Sequence, residues 1–163
     1  EVGGHFRSID TGFTGFLESL NQRTTVIVTA DHGFVDSGGD RVVEIGAHPN
    51  LGRSLAMPLS GEPRAAYCYV RPDRRNEFET YVRRWLWREA ELLVSSELIE
   101  REYFGVGKCH PHLHDRVGDY VMAMRANYMV KDWIDGERRY QHIGVHGGLS
   151  RDEMLVPLIV VEV

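Results

Sequence analysis

At 163 residues, with 42% hydrophobic and 26% charged side chains, the chain has room for one domain with a true core and is too short for two ordinary ones. A net charge of −5 argues against a protein that holds nucleic acid through a uniformly basic face. No apolar run approaches the ~18 residues of a membrane span and no signal peptide is evident, so no membrane partner is expected.

From Glu1 to about Leu20, apolar residues recur at Val2, Phe6, Ile9, Phe13, Phe16, Leu17 and Leu20, which predicts a helix with one apolar face. Gly3, Gly4, Gly12 and Gly15 weaken it, so it should depend on packing against a sheet. The chain opens inside this helix without a methionine, and further sequence is expected to precede it. Asn21-Gln22-Arg23 then turns into Thr24-Thr25-Val26-Ile27-Val28-Thr29-Ala30-Asp31-His32-Gly33. Its valines and isoleucine form a near-continuous apolar run, the pattern of a strand buried on both faces in a parallel sheet. Function in such sheets sits at the carboxyl end of the strand, where Asp31 and His32 stand and where Gly33 permits a sharp turn. A carboxylate beside an imidazole offers two of the ligand types zinc prefers; the same tripeptide also suits a plain turn with Asp31 capping backbone amides.

Residues 36–40 read as a loop at that edge, and Gly46 to Pro63 shows little regular pattern. His48 precedes a proline and reads as extended backbone rather than as a ligand. Arg64 to Arg71 predicts a strand closed by Pro72, and Arg74 to about Leu92 a long helix with Phe78, Val82, Trp85 and Leu86 on one face and solvated arginines on the other. Ser95 and Ser96 suggest the cap of a short helix running to Arg101. His110, His112 and His114 would share one side of an extended strand, but Pro111 and the flanking glycines point to an irregular loop. Gly118–Arg125 and Asn127–Lys131 read as two strands, with Ala126-Asn127 as a hairpin turn.

The last segment, Ile143 to Met154, places His146 in a glycine-rich turn directly before a helix, because Ser150 and Glu153 have capping-box spacing. Either His146 has no task there, or the glycines hold it in a constrained functional geometry. Val156–Val163 predicts a closing buried strand. Cys68 and Cys109 are no disulfide framework and favour a reducing compartment such as the cytoplasm. The expected layout is an α/β core from 1–59 and 133–163, with a smaller α+β insert from 60–132.

With TVIVTADHG and GVHGGLSRDEMLVPLIV both in view, the chain resembles the carboxyl-terminal portion of the type I phosphodiesterase/nucleotide pyrophosphatase family, within the alkaline phosphatase superfamily. EVGGHFRSID, GEPRAAYCYV and RVGDYVMAM are similar to further segments of its members. The resemblance implies an α/β fold, a partial alkaline-phosphatase-like core with a smaller α+β insert. It also implies two divalent metal ions, zinc, or manganese in some branches, acting on a phosphodiester or nucleotide substrate. In that family the DHG aspartate and histidine hold one metal, here Asp31 and His32, and the HGG histidine helps hold the other, here His146. The family's nucleophile, its first metal-binding aspartate and its Asp-x-x-x-His pair lie upstream of the opening helix, so the chain alone is expected to be inactive and to need the amino-terminal half of the same protein. Glu1 and His5 imitate that pair but fall after it when Asp10 is aligned with the helix aspartate. Two other readings stay open: another hydrolase of the superfamily (phosphatase, sulfatase or phosphonate hydrolase), or a binding module that kept the scaffold without the chemistry. A truncated sheet would expose apolar edges, so self-association into a homo-oligomer is expected.

Overall fold

A computed structural model describes residues 2–139 and 142–163. In chain order, helix α1 (Val2–Glu18) leads to strand β1 (Thr25–Thr29) and the short β2 (Val35–Asp36) and β3 (Val42–Glu44). Helix α2 (Pro49–Ser54), strands β4 (Ser60–Glu62) and β5 (Ala65–Cys68), helix α3 (Arg75–Trp85), strand β6 (Ala90–Val94) and helices α4 (Ser95–Glu100) and α5 (Leu113–Val117) follow. Strands β7 (Tyr120–Met124), β8 (Met129–Lys131) and β9 (Gly144–Val145), helix α6 (Arg151–Met154) and strand β10 (Leu158–Glu162) complete the chain.

These elements form two compact units, Glu1–Asp31 with Val156–Val163, and His32–Leu155. In the first, β1 pairs antiparallel with β10 from Thr25 opposite Glu162 to Thr29 opposite Leu158, and Thr24 and Val163 exchange both backbone hydrogen bonds beyond them. The predicted doubly buried parallel strand is therefore corrected. Within its unit β1 has one antiparallel partner, its burial alternates along the strand, and Ile27 is 62% exposed. Helix α1 forms as its period dictates, yet none of its described residues is buried, so the packing expected to offset its glycines is absent from this unit.

The second unit is built on a four-stranded antiparallel sheet in the order β4-β5-β7-β6. Helix α3 lays Phe78 and Val82, one turn apart, into a core with Cys68, Tyr120, Met122 and Met124. Fully burying such side chains stabilises by roughly 1.5–3 kcal/mol each. The thiol of Cys68 sits in this core, where burial raises its pKa to about 12, so it acts there as a small hydrophobe. Cys68 and Cys109 are both free.

Four local readings are corrected. The helix predicted to run to Leu92 stops at Trp85, and Ala90–Val94 becomes β6 against β7, because a short apolar run fits either period until a neighbouring strand selects one. Strands β7 and β8 do not form a hairpin: Ala126 adopts a φ of 45°, and β8 leaves to pair in parallel with β3, Val43 opposite Val130, so that both valines join the core. Helix α4 begins at Ser95 without a side-chain cap; the Ser95 hydroxyl instead donates to the Val117 carbonyl at 3.0 Å. The segment 46–63 is more regular than its pattern suggested, since it contains α2 and β4. Among the described residues, no helix is long and apolar enough to cross a membrane.

Candidate active site

Two segments 114 residues apart in sequence meet inside the second unit. Directly after β1 the chain runs through His32 and Gly33 to β2, and β2 pairs antiparallel with β9, Val35 opposite Val145. This register sets His32 beside His146. Their rings stack with centroids 3.9 Å apart and planes inclined by 13°, and Phe34 meets both edge-on at 5.0 and 5.3 Å. His32 Nδ1 lies 3.0 Å from the Gly33 carbonyl oxygen. A carbonyl can only accept, so in the neutral ring Nδ1 carries the proton and Nε2 the lone pair. A backbone carbonyl fixing one ring nitrogen is also what orients metal-binding histidines.

Gly33 is required for a reason other than the turn freedom read from the sequence. Its φ is not in the left-handed region; a Cβ there would stand 1.8 Å from the carbonyl oxygen of Asp152. Its amide donates to the Glu153 carbonyl at 2.8 Å, so the backbone at Gly33 lies directly against α6. The turn after His146 is equally crowded. Gly147 has a φ of 97° and a Cβ on it would meet Glu62 at 2.4 Å, while one on Gly148 would meet the Glu153 carboxylate at 2.7 Å.

Glu153 ties these pieces together. The Arg64 guanidinium donates to it through Nε at 2.9 Å and Nη2 at 2.8 Å, a bidentate pair with both side chains 1% exposed. The same carboxylate accepts from the Gly148 amide at 2.8 Å and the Ser150 hydroxyl at 2.6 Å, and a third Arg64 donor reaches the Tyr128 carbonyl. Burial by itself pushes the Glu153 carboxyl up, but the bonds from Arg64, Ser150 and Gly148 outweigh it and bring it from 4.5 down to about 2. Between those values the unfolded chain takes up a proton that the folded one refuses. The stabilisation is therefore complete above pH 4.5 and fades as pH falls towards 2. Thermal midpoints measured down this range are expected to fall more steeply for the unmodified protein than for Glu153→Gln; parallel curves would remove Glu153 from the acid response.

Sequence reasoning named Asp31, His32 and His146. The structure brings the two imidazoles together; Asp31 ends the first unit, is exposed, and precedes His32 directly in the chain. Among the described residues no group of three or more His, Cys, Asp or Glu side chains is placed to hold a metal ion. Two nitrogen donors suit zinc but fall short of the three or four protein ligands its sites use. Arg64 and Glu62 were not singled out, although both stand in the GEPRAAYCYV segment that carried part of the resemblance. A cavity of about 250 Å³ opens beside His146, walled by Phe34, Glu62, Met129, Lys131 and His142.

The other histidines take structural or surface positions. His48 Nδ1 meets the Tyr81 hydroxyl at 2.9 Å and ties α2 to α3. The 110–114 triplet does not align along a strand: His114 enters α5, His112 pairs with Asp115 at 3.0 Å, and the segment is an exposed loop running into that helix.

The sequence profile of the type I phosphodiesterase/nucleotide pyrophosphatase family matches residues 1–149, and the chain belongs to this family of hydrolases acting on phosphoester bonds. No curated protein sequence matches it significantly. Among solved structures, it is similar to murine ectonucleotide pyrophosphatase/phosphodiesterase 5, with a TM-score of 0.56 and 18% identity over 83% of this chain and 33% of that one. It is also similar to phosphonoacetate hydrolase from Sinorhizobium meliloti 1021, solved with phosphonoformate, with a TM-score of 0.59 and 22% identity over 88% of this chain and 37% of that one. The fold is thus the alkaline-phosphatase-like one, and the chain spans about a third of the length of these enzymes.

Proposed function

We propose that this chain supplies the carboxyl-terminal part of a two-metal phosphodiesterase or nucleotide pyrophosphatase centre, with Asp31 and His32 ligands to one metal and His146 a ligand to the other. The observation that carries this reading is the stacking of His32 on His146 at 3.9 Å, enforced from outside by Gly33 and by the buried Arg64–Glu153 pair. Paired zinc ions, when bound, stabilise the charge on a phosphoryl group and on the oxygens that attack and leave it. The chain's own residues hold donors in place. The Gly33 carbonyl fixes the His32 tautomer, and the Glu153 network fixes the turn that carries His146. The remaining donors and the nucleophile come from the amino-terminal half of the same protein, which would also cover the exposed apolar face of α1, where Phe6 is 65% exposed.

In the full-length protein, hydrolysis of bis(p-nitrophenyl) phosphate is expected to stop on chelation and to return with zinc. His146→Ala should lower kcat/KM by more than about 100-fold, since even groups outside the coordination sphere cost about 10–100-fold. The 163-residue chain by itself should show no turnover. Activity that survives both chelation and the His146 substitution would rule the assignment out, and a full-length protein that binds zinc without hydrolysing any phosphate, sulfate or phosphonate ester would favour the binding-module reading.

A further inference from the structure

The second unit carries a cleft of about 620 Å³ on the outer faces of α2 and α3, away from His32 and His146. Glu77, Tyr81, Arg84 and Trp85 recur at helical spacing and form its α3 wall, and Arg53 of α2 faces it from the other side. In a chain of net charge −5, a cationic cleft is a local arrangement rather than a product of composition. Arg74 is paired with Glu77 at 3.0 Å, which neutralises the acid in the cleft. Arg53 and Arg84 enter no ion pair among the described residues: Arg53 donates to the Asn50 side chain, and Arg84 lies over the Trp85 ring at 5.2 Å. Two guanidiniums with their charge unneutralised suit a phosphate, which they can grip through paired N–H donors.

The aromatic side of the cleft asks for more than phosphate. Trp85 is 61% exposed, so its ring adds little to the core while presenting a flat face for stacking. Tyr81 is held by His48 and needs no ordering on binding. The volume falls within the range of small-molecule sites and far exceeds what inorganic phosphate fills. We infer that this cleft is a second ligand site, which takes a nucleoside monophosphate with its phosphate on Arg53 and Arg84 and its base stacked on Trp85. The site is independent of the metal centre proposed above.

The test titrates the 163-residue protein at low salt with AMP, adenosine and inorganic phosphate, followed by tryptophan fluorescence and calorimetry. AMP should quench saturably and bind at least about tenfold more tightly than either fragment, with affinity falling as salt rises. Arg53→Gln and Arg84→Gln should each weaken AMP about tenfold, and Trp85→Phe should remove the quench and weaken the heat signal. All three side chains are exposed, so these variants fold. His146→Ala should bind AMP like the unmodified protein. Phosphate matching AMP, arginine variants that bind undiminished, loss of binding in His146→Ala, or no saturation up to about 10 mM would each overturn the assignment.

Discussion

Replacing Arg64 by Met is expected to lower the free energy of unfolding by about 3–5 kcal/mol, measured by urea denaturation. The loss follows from what remains rather than from the contact removed. Glu153 would keep a buried charge with the Gly148 amide and Ser150 hydroxyl as partners but without its cation. A second substitution, Glu153→Leu, removes that charge but strands the Gly148 N–H and the Ser150 hydroxyl, so the double variant should recover only part of the loss. Arg64→Lys retains the charge and forfeits the planar fork that matches two carboxylate oxygens, and should fall between. A loss below about 1 kcal/mol in Arg64→Met would mean that the pair behaves as a surface salt bridge, contrary to its burial. The consequence reaches the site. Arg64 and Glu153 are 89 residues apart, and with the clamp gone the His146 turn keeps its packing on Glu62 and the pairing of Val145 with Val35 but loses its buried ionic tie to Arg64.

Gly33→Ala is the second large effect. A single methyl group would need to share space with the Asp152 carbonyl, at 1.8 Å, and a backbone atom cannot swing away as a side chain can. Either the 2.8 Å bond from Gly33 to Glu153 breaks or the DHG turn moves, and the expected loss is at least about 3 kcal/mol, the upper end of overpacking costs. Gly39→Ala serves as the control, because nothing lies within 4 Å of a Cβ there; its unfolding midpoint should stay within the small range of ordinary surface changes. Proton spectra of the imidazoles give the functional readout: in Gly33→Ala the ring-current shifts that stacked His32 and His146 impose on each other should collapse. Equal stabilities for the two alanine variants would show that the close approach at Gly33 is not what joins the segments.

Much of the candidate site was legible because it is written in short, local signals. The β-rich run ending in Asp31-His32-Gly33, and the spacing of Ser150 and Glu153 after His146-Gly147-Gly148, each announce a strand or helix end. The strand and the helix start fall where the sequence placed them, and the capping box is present. The errors fell where local pattern is degenerate. Glu91-Leu92-Leu93-Val94 satisfies helix and strand alike, and Ala126-Asn127 suits a hairpin that the pairing of β8 with β3 forbids. Arg64 was invisible as a partner of Glu153 because a buried ion pair leaves no periodic trace: an arginine at the start of a strand normally reads as a solvated end.

By itself, then, the sequence determined the resemblance to the family and where most helices and strands begin, because propensity, capping and hydrophobic period act over one or two turns of chain. Only the tertiary structure decided that His32 stacks on His146, that Gly33 is a matter of contact rather than of φ, and that Glu153 is both a helix cap and the anionic half of a buried clamp. Those facts depend on pairings between segments about a hundred residues apart, which packing density and the burial of charge select and which no local window contains.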